Sequence, residues 1–487
     1  MTNRNMANRN VFNLDMRRLK LGGALAAALA LPLASAAAAE PTPQQQAFRQ
    51  IYQELVEINT TDSVGDTVKA AEAMAAHLRA AGLPAADIRL ISTAPRKGNL
   101  VARLRGTGAR KPILLLGHLD VVEAKREDWD FDPFKLQEVD GFFRGRGSVD
   151  DKSMASIFVA NMVEYIKEGF KPDRDIILAL TADEENGASS PHTGARILVE
   201  QYRDLIDAEL AINEGGGAAL KDGKPLRNSI QVAEKVFATY QLEGKDPGGH
   251  SSVPRRDNPI YRLADALGRI GRYDFPIQLN PVTKVFFERS AAIEEKSISD
   301  AMRALLAGRT DAETLAPLSS RAAYNAQIRT TCVATMLEAG HAENALPQTA
   351  HATVNCRIMP DESVEEVERT LVRLIDDPKI TLTKLSNVVL SPPSPLDPEV
   401  MSAVERLTNE MWPGVPVIPT MSAGATDSRF LRNIGMPSYG VSGLFLDANN
   451  GVHGLNEQVG VKELYDSKDF LYRLVKRLAA PSQFSQR

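Results

Sequence analysis

Only two cysteines, Cys332 and Cys356, occur in 487 residues. No dense disulfide framework can therefore hold this chain together, and the lack of any Cys-x-x-Cys spacing speaks against a zinc site built on these thiols. Both lie in strand-like segments, "RTTCVAT" and "ATVNCRIM", which could be neighbours in one sheet. In an oxidising compartment they could pair; the plainer expectation is two reduced, buried thiols. A basic excess is missing too. The formal net charge is −5, which argues against a nucleic-acid partner. No internal repeat is visible, and no low-complexity tract follows the first forty residues. After residue 40 no stretch is apolar for long enough to span a membrane. What remains is an ordinary globular composition, 43% hydrophobic and 24% charged. Its length suits two domains better than one.

The first segment reads as an export signal. "MRRLKLGGALAAALALPLASAAAAE" has a basic start, an apolar run from Leu21 to Leu31, and small residues at Ala-x-Ala spacing before Glu40. Residues 1–39 carry five basic side chains and one acid, a charge of +4, which leaves −9 for the rest. The expected location is periplasmic or secreted, with no stable membrane span once the signal is removed. An uncleaved anchor is the alternative.

From residue 43 helix-like and strand-like stretches alternate. "PILLLG", "DIILALTA" and "AELAIN" are short apolar runs bounded by charged or turn residues. Such runs suit central parallel strands covered on both faces. The pattern predicts an α/β fold with a doubly wound mixed sheet, interrupted by an inserted α+β domain. The expected division is 1–39 signal, 40–232 first part of the catalytic domain, 233–389 inserted lid and 390–487 second part. Within the lid, residues from about 275 to 325 read as a long irregular stretch.

In open α/β sheets ligands bind beyond the carboxyl ends of the strands. Here each central run ends in acid or imidazole. His118 and Asp120 follow the first, Asp183, Glu184 and Glu185 the second, and Glu214 the third. Asp150 and Asp151 sit in a glycine-rich turn that opens a helix, and His453 follows the last strand. One such residue would mean little, because a lone histidine is usually structural and paired acids are usually solvated. So many carboxylates at one edge would repel one another and raise their pKa values. Two divalent cations would resolve this, and mixed nitrogen and oxygen donors without thiolate suit zinc or cobalt. A glutamate left off the metals would serve as general base in a hydrolysis.

Nine pieces occur in order: "GHLDVV", "GRGSVDDK", "TADEENG", "NEGGG", "GHSSVP", "ENALP", "NCRIMPDES", "GATDSRFLR" and "GVHGLNE". On these the chain resembles the dinuclear zinc metallopeptidases that include aminoacylase-1, carboxypeptidase G, carboxypeptidase S and succinyl-diaminopimelate desuccinylase. The resemblance implies two zinc ions per chain, with cobalt as a substitute. His118 and Glu214 would hold one ion, Glu185 and His453 the other, with Asp150 bridging and Asp151 structural. It makes Glu184 the general base and Asp120 the residue that orients His118. His250 would stabilise the oxyanion, supplied by a partner subunit in dimeric members. Asn344 and Arg357 would hold a substrate carboxylate, and Gly424 and Thr426 would contact substrate. A turn role for Asn344 and a surface ion pair for Arg357 stay open beside this. His77, His192, His341 and His351 match no motif.

The resemblance implies an exported enzyme that cleaves the amide bond of short peptides or N-acyl amino acids bearing a free carboxylate. A non-catalytic binding relative and an amidohydrolase for non-peptide amides are the alternatives. A homodimer through the lid is the implied assembly. The extra segment "ERSAAIEEKSISDAMRALLAGRTDAETLAPLSSRAAYNAQ" resembles the long lids of the carboxypeptidase S and aminoacylase branch. It leaves open whether that interface is covered or replaced.

Overall fold

A computed structural model describes residues 41–187 and 190–480; the expected export signal lies outside the described residues. The strand Ile113–His118 runs through the middle of the main sheet. It pairs in parallel with Ile176–Thr181 on one side and Leu210–Asn213 on the other. Leu210–Asn213 pairs in parallel with Ser438–Gly440, while Lys97–Leu104 and Ile88–Ala94 extend the opposite side antiparallel. Ten strands form this mixed sheet among the described residues.

The apolar runs behave as two-sided strands should. Ile113 and Leu115 join one buried cluster, and Leu114 and Leu116 join the cluster on the opposite face. Ile176, Leu178 and Leu180 alternate with Ile177 and Ala179 in the same way. Each fully buried Leu or Ile contributes about 1.5–3 kcal/mol, so these short strands lie in the best-anchored part of the molecule. A parallel pair needs a crossover. The helix Lys152–Lys167 supplies it between the His118 strand and Ile176–Thr181, and is buried along most of its length. Pro43–Glu57, Thr67–Ala80 and Val461–Leu478 share its side of the sheet. Gly194–Gln201 and Ser428–Asn433 cover the other through Leu198 and Leu431.

A second sheet is wholly antiparallel. Its order is Thr331–Ala339, Thr349–Ile358, Val236–Lys245, Ile380–Lys384. The helices Pro259–Arg272 and Val364–Ile375 pack on it around Tyr240, Leu263, Val354 and Leu371, a core separate from that of the main sheet. Cys332 stands opposite Cys356 in register, and the two form a disulfide. This corrects the expectation of reduced thiols, since cross-strand register, invisible in the local sequence, brings the side chains together.

The stretch from about 275 to 325 is not irregular. It forms the helices Pro281–Ser290, Lys296–Leu306, Ala312–Ser319 and Ala322–Ile328. None exceeds 11 residues. The first is started by Asn280, which caps it reciprocally with Thr283, and by Pro281 at its first position. Phe287, Met302, Leu305, Leu318 and Ile328 bury themselves with Ile418 of the strand Val417–Ser422. That strand pairs with Lys224–Glu234 of the main sheet. The long insertion therefore packs on the main sheet.

Candidate metal centre and substrate cavity

The site grows from the end of the His118 strand. His118 Nδ1 faces the main-chain carbonyl of Asp120 at 3.0 Å. A carbonyl only accepts, so Nδ1 carries the proton and Nε2 is left as the donor atom for a cation. Nε2 lies 3.0 Å from Asp150 Oδ1 and 3.9 Å from Glu214 Oε1. His453 Nε2 lies 3.1 Å from Asp150 Oδ2 and 3.1 Å from Glu185 Oε2. The two oxygens of Asp150 thus face two different imidazoles.

The Asp120 carboxylate stands 3.7 Å from the His118 ring, farther than its own carbonyl. Its closer partners are the backbone amides of Glu184 and Glu185, which donate to Oδ1 and Oδ2 at 3.1 and 3.0 Å. Asp120 therefore aims the imidazole through its main chain and fixes both glutamates through its side chain. Asp151 is buried and accepts the His118 amide at 3.2 Å.

Electrostatics follow from this crowding. Burial pushes Glu184 and Glu214 well above the usual carboxylate range. Burial opposes charge on Asp150, but His118 and His453 outweigh it and hold Asp150 low. Asp150 and Glu185 push His453 up to about 10. Burial works against a charged His118, yet Asp150, Glu214 and Asp120 hold it above its ordinary range. The acids thus draw positive charge toward themselves, and divalent cations would supply it. Glu185 Oε1 is buried with no hydrogen-bond partner among the described residues, as an acceptor reserved for a cation would be. His118, Asp150 and Glu185, and also His118, Glu184 and Glu214, bring donor atoms within 4.8 Å of one another. The donor set fits a pair of metal ions.

Residues 114–477 match the model of peptidase family M20/M25/M40. The chain belongs to this family. An N-fatty-acyl-amino acid synthase/hydrolase of Xenopus tropicalis is 31% identical over 377 residues, 75% of this chain and 72% of the relative. Carboxypeptidase S of Saccharomyces cerevisiae is 26% identical over 414 residues, with 75% and 71% covered. Among solved structures, an M20 family metallo-carboxypeptidase from Sulfolobus solfataricus superposes with a TM-score of 0.67 at 17% identity, covering 88% of this chain and 98% of that one. The chain is thus a hydrolytic enzyme of the M20 metallopeptidase and amidohydrolase kind.

In this M20 chain a cavity of about 440 Å³ opens beside the acids. Glu184, Glu185 and His453 line it together with Lys235, Phe237, Arg357, Gly424 and Arg429. Arg357 stacks over Phe237 at 4.7 Å, and its Nη1 donates to the Ala423 carbonyl at 3.3 Å. Gly424 is exposed at the rim, its amide donating to Ser422 Oγ at 3.0 Å. Thr426 is placed differently. It is buried, and both its amide and its hydroxyl donate to Glu234 Oε2, at 3.0 and 2.9 Å. His250 and Asn344 do not line the cavity. His250 sits on the ribbon formed by Gly249–His250 and Ala345–Leu346, Asn344 comes just before its second strand, and both are exposed. Ser252 N donates to His250 Nδ1 at 3.1 Å, which leaves Nε2–H free to donate.

Two anchors of the site carry no role in the sequence reading. Glu457, fully buried, accepts from Arg146 Nη1 at 2.7 Å and from the amides of Gly147, Val149 and Asp150 at 2.9, 2.7 and 3.1 Å. Lys97 holds Asp183 at 2.6 Å, directly before Glu184. The signal for Glu457 was an acid four residues after His453 in a matched motif. Lys97 carried none.

Proposed function

We propose that this enzyme is an exported dizinc hydrolase that cleaves the amide bond of N-acyl amino acids or short peptides next to a free carboxylate. The observation that carries the two-metal reading is Asp150, whose oxygens face His118 and His453 separately. His118 and Glu214 would hold one ion, Glu185 and His453 the other, and Asp150 both. When bound, such ions supply Lewis acidity that eases deprotonation of water and polarises a carbonyl. Glu184, buried and held by its amide, takes the proton from the attacking water and returns it to the leaving amine. Nε2–H of His250, delivered by a partner subunit, donates to the developing oxyanion. Its exposure away from the cavity supports a homodimer through the lid. Arg357 receives the substrate carboxylate.

The substrate class rests on what the names of two relatives share, an amino acid or peptide end with its carboxylate free. Export is supported by the leader sequence and, independently, by the Cys332–Cys356 disulfide. The test is a panel of N-acyl amino acids and dipeptides before and after chelation. Activity should vanish with the metal and return with zinc or cobalt. Turnover that survives exhaustive chelation would sink the mechanism, and an inert zinc-loaded enzyme would sink the substrate assignment.

A further inference from the structure

Glu234 is fully buried where the chain leaves the main sheet for the lid. Its carboxylate reaches three separate parts of the chain. Oε2 accepts the Thr426 amide and hydroxyl, and also Gln231 Nε2 at 3.2 Å. Oε1 accepts Ser391 Oγ at 2.8 Å, on the segment by which the chain returns from the lid. Arg432 Nη1 stands 3.5 Å from Oε1 as its charge partner. Burying a carboxylate with one distant cation is costly, and an apolar hinge would be cheaper. The cost acquires a use from the loop that Thr426 ends.

That loop begins at Ser422, whose carbonyl accepts the Lys235 amide at 2.9 Å. The next carbonyl, Ala423, is the one that Arg357 Nη1 contacts. Arg357 itself lies on the lid strand, in register with Phe237. Glu234 thus grips the outgoing hinge, the returning hinge and the loop that seats the lid arginine. We infer that Glu234 is a positioning residue: by holding Thr426 and Ser391 it sets the Ala423 carbonyl, and through it the orientation of Arg357 toward the substrate carboxylate. The inference rests on the carboxylate role of Arg357 given above.

A double-mutant cycle tests it. With an N-acyl amino acid as substrate, Glu234→Ala should raise KM about tenfold or more and change kcat by no more than about threefold, as lost substrate binding does. Glu234→Gln, which keeps an acceptor for Thr426, should recover most of the loss. In the Arg357→Ala background, Glu234→Ala should add less than about twofold, because the residue it positions is gone. Thr426→Val removes the hydroxyl's two hydrogen bonds, the one it donates to Glu234 and the one it accepts from the Ser428 amide, without emptying the buried site. It supplies the same cycle should Glu234→Ala not fold, with an expected rise in KM of about fivefold. Losses that multiply, or a fall in kcat at unchanged KM, would overturn the role of Glu234 and leave the hydrolase reading standing. A wild-type KM in Arg357→Ala would overturn the carboxylate reading and this inference together.

Discussion

Replacing Glu457 by glutamine removes one charge from the most enclosed anchor of the metal site, and its cost can be worked from the contacts. Oε2 accepts Arg146 Nη1 and the Gly147 amide; Oε1 accepts the amides of Val149 and Asp150. A glutamine keeps one oxygen and presents an NH2 group at the other position. Whichever way it turns, two donors lose their acceptor and face another donor. If the oxygen stays with Arg146, the Val149 and Asp150 amides are orphaned and Asp150, which faces both imidazoles, loses its support. If it turns the other way, a guanidinium that is 2% exposed loses its only charged hydrogen-bond partner among the described residues. Breaking a buried ion pair by removing one partner costs about 3–5 kcal/mol. For a chain of this size about 1 kcal/mol shifts the melting midpoint by about 1 °C, so Glu457→Gln should melt about 3–5 °C below wild type. The scan is run in chelator, so that the loss reflects the fold rather than the metal. Zinc affinity, measured by competition, should fall about tenfold to a hundredfold, as for other residues that support metal ligands. A metal-free melting point within 1 °C of wild type, together with unchanged affinity, would refute the reasoning.

Three further outcomes are expected. Glu184→Gln should keep the metal content of wild type and lose about a thousandfold in kcat; substantial turnover would remove it as the base. Replacing Cys332 and Cys356 by alanine opens a loop with a sequence separation of 24, which should cost about 3 kcal/mol in urea unfolding of the lid; free thiols detected in the wild-type protein would contradict the pairing. Burial, with Arg357 nearby, pushes Lys235 down to about 7. Its folded pKa lies below its unfolded value of about 10.4, so between the two the unfolded chain holds more protons and stability rises with pH. The melting point of Lys235→Met minus that of wild type should therefore fall as pH rises from 7 to 10; a flat difference would mean that Lys235 does not titrate there.

The central strands were legible because burial on both faces leaves an unbroken apolar run. The gathering of acids and imidazoles at one edge was legible because each such run delivers its polar residues there. The helices from Pro281 to Ile328 were not, each being short, although Lys296–Leu306 does bury Ile298, Ala301, Met302 and Leu305 at helical spacing. Nor were the Glu457 and Glu234 networks, whose partners include Gly147 and Thr426, far away in the chain. A buried acid looks in sequence like any surface acid, and only its neighbours tell the two apart.

The sequence alone determined which chemistry is available: two imidazoles, their carboxylates, a spare glutamate and the strands that carry them. These are local properties of side-chain type and of burial period. Tertiary structure decided how that chemistry is divided. It placed one oxygen of Asp150 toward His118 and the other toward His453, and made Asp120 a holder of two backbone amides. It turned Thr426 onto Glu234 in the cavity wall and left His250 on an exposed ribbon. Each of these depends on distances between residues far apart in the chain, and such distances are set by packing.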